Sequence, residues 1–205
     1  MPEHALSGHL HAVRAQRSTR PILVVGIGGT TRVNSSTEKA LLASLDAAER
    51  AGAQTVLLGA AALQLPMYSP DDAYRTPPAE TLVELLRACQ GVIIASPGYH
   101  GTLSGLVKNA LDYVEDMARD TPPYLEGRAI GTIACAQGWP ATIHTLAALR
   151  SVAHALRGWP TPMGAGINSA EQIFAEDGSV RDDKSRLQLE LVGSQVVEFA
   201  RRWQP

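Results

Sequence analysis

The chain has little of what most specialised scaffolds need. Two of its 205 residues are cysteine, Cys89 and Cys135, too few for a disulfide framework. Both lie in apolar or strand-like stretches, and a reducing compartment is the simpler reading. No apolar run approaches the roughly 20 residues that span a bilayer, which excludes a transmembrane helix. No charge of one sign dominates, since 18 basic residues face 20 acidic ones. That balance offers no overall attraction to nucleic acid or to an anionic membrane. Several catalytic signatures are missing as well. No Gly-Lys-Ser/Thr makes a Walker A loop, and Gly101-Thr102-Leu103-Ser104-Gly105 has the wrong spacing for a nucleophile elbow. Paired carboxylates, a triad and a metal-ligand cluster are likewise not found.

Residues 1–20 carry Arg14, Arg17 and Arg20 with His4, His9 and His11. They lack the apolar core and cleavage pattern of a secretory signal, which favours the cytoplasm. The reading is a flexible N-terminal extension, 1–20, followed by a single domain, 21–205. No further ligand accompanies the three histidines, so metal binding is not expected there.

The rest is organised around Ile22-Leu23-Val24-Val25-Gly26-Ile27, a continuous apolar run suited to a parallel strand covered on both faces. It runs into Gly28-Gly29-Thr30-Thr31-Arg32-Val33-Asn34-Ser35-Ser36 and then a helical pattern to about Arg50. A glycine- and hydroxyl-rich turn entering a helix presents N–H groups and a positive helix end to one point, which suits a phosphate. Strands are expected at 54–58, 91–96, 129–134 and within 159–167, and helices near 79–89, 104–118, 141–157 and 184–202. This alternation builds right-handed βαβ units and a three-layer α/β domain with an open parallel sheet. Polar residues collect after the first, third and fourth strands, all at the carboxyl edge where such folds bind ligands. Gly26-Ile27-Gly28-Gly29-Thr30-Thr31 falls short of a dinucleotide fingerprint: threonine replaces the third glycine, and Leu58-Gly59 stand where a ribose-binding acid belongs. Hydroxyls of Thr30, Ser35 and Thr37 with the Arg32 fork fit a phosphate better.

The loop Gly29-Thr30-Thr31-Arg32-Val33-Asn34-Ser35 resembles the G-S-x-R-x-x-S signature of the NAD(P)H-dependent FMN reductase family. Its second signature, P-E-Y-N/H-G-S-x-x-G-x-x-K-N-A-x-D-W/Y, is matched by residues 97–113, from Pro97-Gly98-Tyr99-His100-Gly101-Thr102 to Lys108-Asn109-Ala110-Leu111-Asp112-Tyr113. Leu65-Pro66-Met67-Tyr68 matches its L-P-x-Y segment. The resemblance implies a flavodoxin-like fold with a five-stranded parallel sheet of order 2-1-3-4-5. It implies FMN as cofactor and NADPH or NADH as donor. Thr30, Arg32, Ser35 and Thr37 would hold the phosphate. Pro97, Gly98, Tyr99, His100 and Gly101 would line one edge of the flavin ring, and Gln137, Gly138 and Trp139 would approach from the other side. Lys108, Asn109 and Asp112 are expected to set the helix and a dimer contact. Gly98 replaces the family's glutamate, which removes a charge and is expected to loosen a turn. Members that release reduced flavin carry a tyrosine-containing irregularity in the helix after strand three, and none is seen in 102–113. The implied activity is hydride transfer from NAD(P)H to FMN and on, in ping-pong fashion, to a quinone-like acceptor or free flavin. The alternatives are a reductase supplying reduced FMN to a partner monooxygenase and a non-enzymatic electron carrier. A homodimer or homotetramer is expected.

Overall fold

The computed structural model describes residues 21–32 and 34–203. The expected extension at 1–20 lies outside them, as does Val33.

In chain order the elements are β1 (Ile22–Gly28), α1 (Ser36–Arg50), β2 (Ala53–Leu58), α2 (Pro77–Ala88), β3 (Gly91–Tyr99), β4 (Thr102–Leu103), α3 (Gly105–Asp112), a 3-10 turn (Tyr113–Met117), β5 (Ala129–Ala136), α4 (Trp139–Ala155), β6 (Trp159–Asn168) and α5 (Asp183–Trp203). The main sheet runs β2-β1-β3-β5-β6, all parallel. This is the expected 2-1-3-4-5 order once the two-residue β4, which pairs antiparallel with the end of β3, is set aside. Strand order reverses between β1 and β3.

Period-two alternation sorts the strand side chains between two cores. Val24, Ile93 and Ile133 face the layer packed under α1 and α5, whereas Val25, Ile94 and Ile130 face the layer under α2, α3 and α4. Residues buried on both faces make these strands read as unbroken apolar runs. A hydrogen bond from Ser44 Oγ of α1 to Leu189 O of α5, 2.8 Å long, joins the two helices at their contact. Edge strand β6 carries Pro160 and Pro162 in its first half and shifts register against β5 between Ile130 and Thr132. The helix expected over 104–118 narrows after Asp112 into the 3-10 turn. No helix among the described residues is long and apolar enough to cross a membrane.

Candidate functional site

Strand β1 ends where its backbone meets β3. A Cβ on Gly28 would lie 2.1 Å from Ala95 O, so only glycine fits. The loop beyond it is shaped by its own hydroxyls. Thr30 Oγ1 accepts the Arg32 N–H at 3.1 Å. Ser35 caps α1, with extended backbone and Oγ accepting the Glu38 N–H at 3.2 Å. The helix ladder leaves the N–H groups of Ser36 and Thr37 unused, and the helix dipole adds positive potential there. Arg32 is exposed and forms no ion pair among the described residues.

Across the reversal point, β3 continues to Tyr99 and turns back through His100 and Gly101 into β4. Both turn residues have positive φ, 51° and 96°, as a two-residue hairpin of the primed type requires. Between these loops lies a cavity of about 400 Å³, within the usual range of roughly 300–1,000 Å³ for small-molecule sites. Thr30, Arg32, Ser35, Thr37, Pro97, Gly98, Tyr99 and Gln137 line it together, bringing together eight of the twelve expected residues. His100, Gly101, Gly138 and Trp139 are not in its wall. The hairpin turn carries His100 and Gly101 to an exposed tip, and Trp139, half-exposed, opens α4.

Gly98 departs from expectation. It sits in β3 rather than in a loose turn, and a Cβ there would meet Thr145 Oγ1 at 2.6 Å and Ala136 Cβ at 3.0 Å. The missing side chain lets α4 close onto the strand, so the change tightens this corner.

Asn109 does more than shape its helix. Its Oδ1 accepts the Tyr68 N–H at 2.9 Å and its Nδ2 donates to Pro66 O at 2.9 Å, while Tyr113 Oη donates to Pro66 O at 3.0 Å. The Leu65–Tyr68 stretch is thus tied to α3. Arg75 adds a two-pronged pair with Asp116, 2.7 and 2.8 Å, and lies over the Tyr68 and Tyr113 rings. The Asp116 hydrogen bond raises the Arg75 pKa, and burial raises those of both tyrosines. Lys108 and Asp112 pair with each other one turn apart.

Ala136, which opens the expected third loop, also lines the cavity, and Thr31, Ser36, Cys135 and Ser169 complete it without having been singled out from the sequence. Burial pushes the Cys135 thiol up to about 12, against a hydrogen bond with Thr37 that lowers it. It is therefore a neutral wall group at ordinary pH. Ser169 follows Asn168, a buried residue whose Oδ1 accepts from Gly138 N at 2.8 Å and Ala170 N at 3.2 Å. An asparagine at the carboxyl end of a strand beside the polar loops was the available signal. A larger groove, about 770 Å³, runs along α1 and the start of α5. Its Arg50 and Arg186 are already paired with Asp46, Glu190 and Asp183, and the 176–180 loop closes it between the two helices.

An open parallel sheet with an anion-receiving loop at its reversal point defines a nucleotide-binding α/β protein of flavodoxin-like form. The match is specific: residues 22–172 fit the family described as NADPH-dependent FMN reductase, and the chain belongs to that family. It is similar to the FMN-dependent NADPH-azoreductase of Staphylococcus haemolyticus (strain JCSC1435), 28% identical over 119 residues, 57% of this chain and 59% of that protein. The Staphylococcus aureus (strain USA300) azoreductase is 30% identical over 121 residues, 58% and 60% of the two chains. The chain thus matches about three-fifths of the length of these relatives. Among solved structures, the flavoenzyme NAD(P)H:(acceptor) oxidoreductase FerB of Paracoccus denitrificans superposes with TM-score 0.72 at 22% identity, covering 88% of this chain and 98% of that one. The apo form of the NADH:FMN oxidoreductase EMOB gives 0.64 at 21% identity, with 87% and 88% covered. These likenesses establish the fold.

The residues present fit FMN. Hydroxyls, two free helix N–H groups and an arginine with no carboxylate partner among the described residues gather in the cavity wall, the donor set a phosphate dianion needs. The rest of the wall is formed by Pro97, Gly98, Tyr99, Cys135, Ala136, Gln137 and Ser169.

Proposed function

We propose that the chain is an FMN-dependent NAD(P)H oxidoreductase that passes electrons to a quinone-like acceptor. One observation carries this reading. The Thr30–Thr37 anion cradle and the Pro97–Tyr99 strand end face each other across a single cavity at the sheet's reversal point. Thr30, Arg32, Ser35 and the first turn of α1 would hold the phosphate, and Pro97, Gly98, Tyr99 and Gln137 would border the ring. FMN, when bound, supplies the two-electron relay between donor and acceptor, and hydride chemistry of this kind needs no protein acid or base. The protein's own part is to position the reactants and exclude water. Gly98, closed over by α4, serves that end by fixing one wall.

Free flavin as the second substrate, with delivery to a monooxygenase, is the alternative. A homodimer belongs to the same proposal, and the exposed Met67 and Tyr74 of the long connection after β2 support it. Light scattering decides the assembly.

The protein purified without added cofactor should show flavin bands that bleach on anaerobic addition of NADPH or NADH and return with a quinone. A colourless protein that turns over only with added FMN would favour flavin as substrate. Absence of both binding and turnover would overturn the proposal.

A further inference from the structure

Two of the loops that wall the cavity are held by one side chain. Asn168 closes β6, is 8% exposed, and pairs in register with Ala136 at the end of β5. Its Oδ1 takes both the Gly138 and the Ala170 N–H groups, while its Nδ2 donates to Glu171 Oε1 at 2.8 Å. Ser169 N adds a bond to Ala136 O at 2.9 Å. Only one orientation of the carboxamide satisfies all three side-chain bonds, because a flipped amide would set N–H against N–H and oxygen against carboxylate. The bonds converge on a backbone that needs restraint. Gly138 has φ 96°, and the residue before it, Gln137, lines the cavity, as does Ser169.

We propose that Asn168 is a positioning residue for the flavin: with Glu171 fixing its amide, it locks the Gln137 and Ser169 walls at the spacing the ring requires. The role rests on the FMN reading above. Asn168 touches the cavity only through the loops it holds, so it acts without contacting the cofactor.

The pair can be inverted. Asn168→Asp keeps acceptors for the two N–H groups but sets a carboxylate against Glu171, and like charges at that distance repel. Adding Glu171→Gln restores a donor facing an acceptor with the polarity reversed. FMN dissociation constants are measured by quenching of flavin fluorescence at pH 8, with urea midpoints of the apo proteins alongside. N168D is expected to bind FMN about tenfold more weakly, the scale of one lost charge-linked hydrogen bond. E171Q and N168D/E171Q should lie within about threefold of the parent, the double variant rescuing the single. Unchanged affinity in N168D, a double variant no better than N168D, or a fall in urea midpoint alone would overturn the proposal. Should N168D not fold, Glu171→Ala, which strips the amide of its acceptor, must weaken FMN by about threefold, and an unchanged affinity overturns it. A parent protein that binds no FMN defeats the flavin reading itself, whatever the variants do.

Discussion

Thr145 occupies the space that a side chain at position 98 would need. Its Oγ1 stands 2.6 Å from where the first carbon of that side chain would sit, and Ala141 O is 3.3 Å from it. Strand β3 and helix α4 are therefore fitted to a glycine. Gly98→Ala is expected to destabilise the fold by about 1–3 kcal/mol, the usual range for overpacking. Thr145→Ala in that background should recover part of the loss, leaving the Ala136 contact. Urea midpoints of the parent and the two variants check this. An unchanged midpoint in G98A would mean that α4 does not press on the strand.

Arg32 stands at the mouth of the phosphate end with no carboxylate to satisfy it among the described residues. Arg32→Ala is expected to weaken FMN binding by about 1.5–3 kcal/mol while leaving riboflavin binding nearly unchanged. Parallel titrations with the two flavins separate loss of a phosphate contact from damage to the pocket. Equal losses for both would remove Arg32 from the phosphate site.

Asn109 reaches 41 residues back along the chain to hold Tyr68 N, and Tyr113 reaches Pro66 O from the same side. Asn109→Ala leaves Tyr68 N without its partner, while Pro66 O keeps the Tyr113 hydroxyl, and is expected to cost about 1–3 kcal/mol. Tyr113→Phe removes one hydroxyl and should cost about 1 kcal/mol. Limited proteolysis should cut within 59–76 sooner in N109A than in the parent. Resistance equal to the parent would show that the segment is fixed by other contacts.

The two thiols set a sign for stability at alkaline pH. Burial pushes Cys89 up to about 11 and Cys135 up to about 12, so both stay protonated in the folded state. In the unfolded chain they ionise near pH 8.5. The raised folded values give a contribution that is complete below about pH 8.5 and is lost as pH climbs toward the folded values. Stability should thus decline across this interval, and C89A/C135A should flatten the decline. Burial raises Tyr68 and Tyr113 in the same direction, so a residual slope remains. Urea titrations from pH 7 to 10.5 measure it, and an identical slope in the double variant would refute the thiol contribution.

The strand order and the phosphate end were legible because they depend on local pattern. Apolar runs such as Val24-Val25 mark covered strands, and the hydroxyls of Thr30 and Ser35 announce a helix entry. Side chains whose partners lie far along the chain were harder to read. Nothing local to Asn109 shows that Tyr68 is its partner, and Asn168 follows a strand blurred by Pro160, Pro162 and two glycines. From sequence the His100-Gly101 tip belongs to the binding loop, because its motif runs on from Pro97. Two positive φ values make that backbone a tight exposed turn, and neither residue is in the cavity wall. At Gly98 the sequence reports only the missing carboxylate, whereas the packing of α4 decides what the absence does.

The prolines of β6 have a consequence at the rim of the sheet. Pro160 and Pro162 lie on the edge strand and remove two N–H donors from its first half. That stretch cannot recruit a strand from a neighbouring molecule, and edge-to-edge growth is blocked there at the level of the backbone. At that stretch of the rim, association between copies is left to surfaces made of side chains, whose composition can be selected.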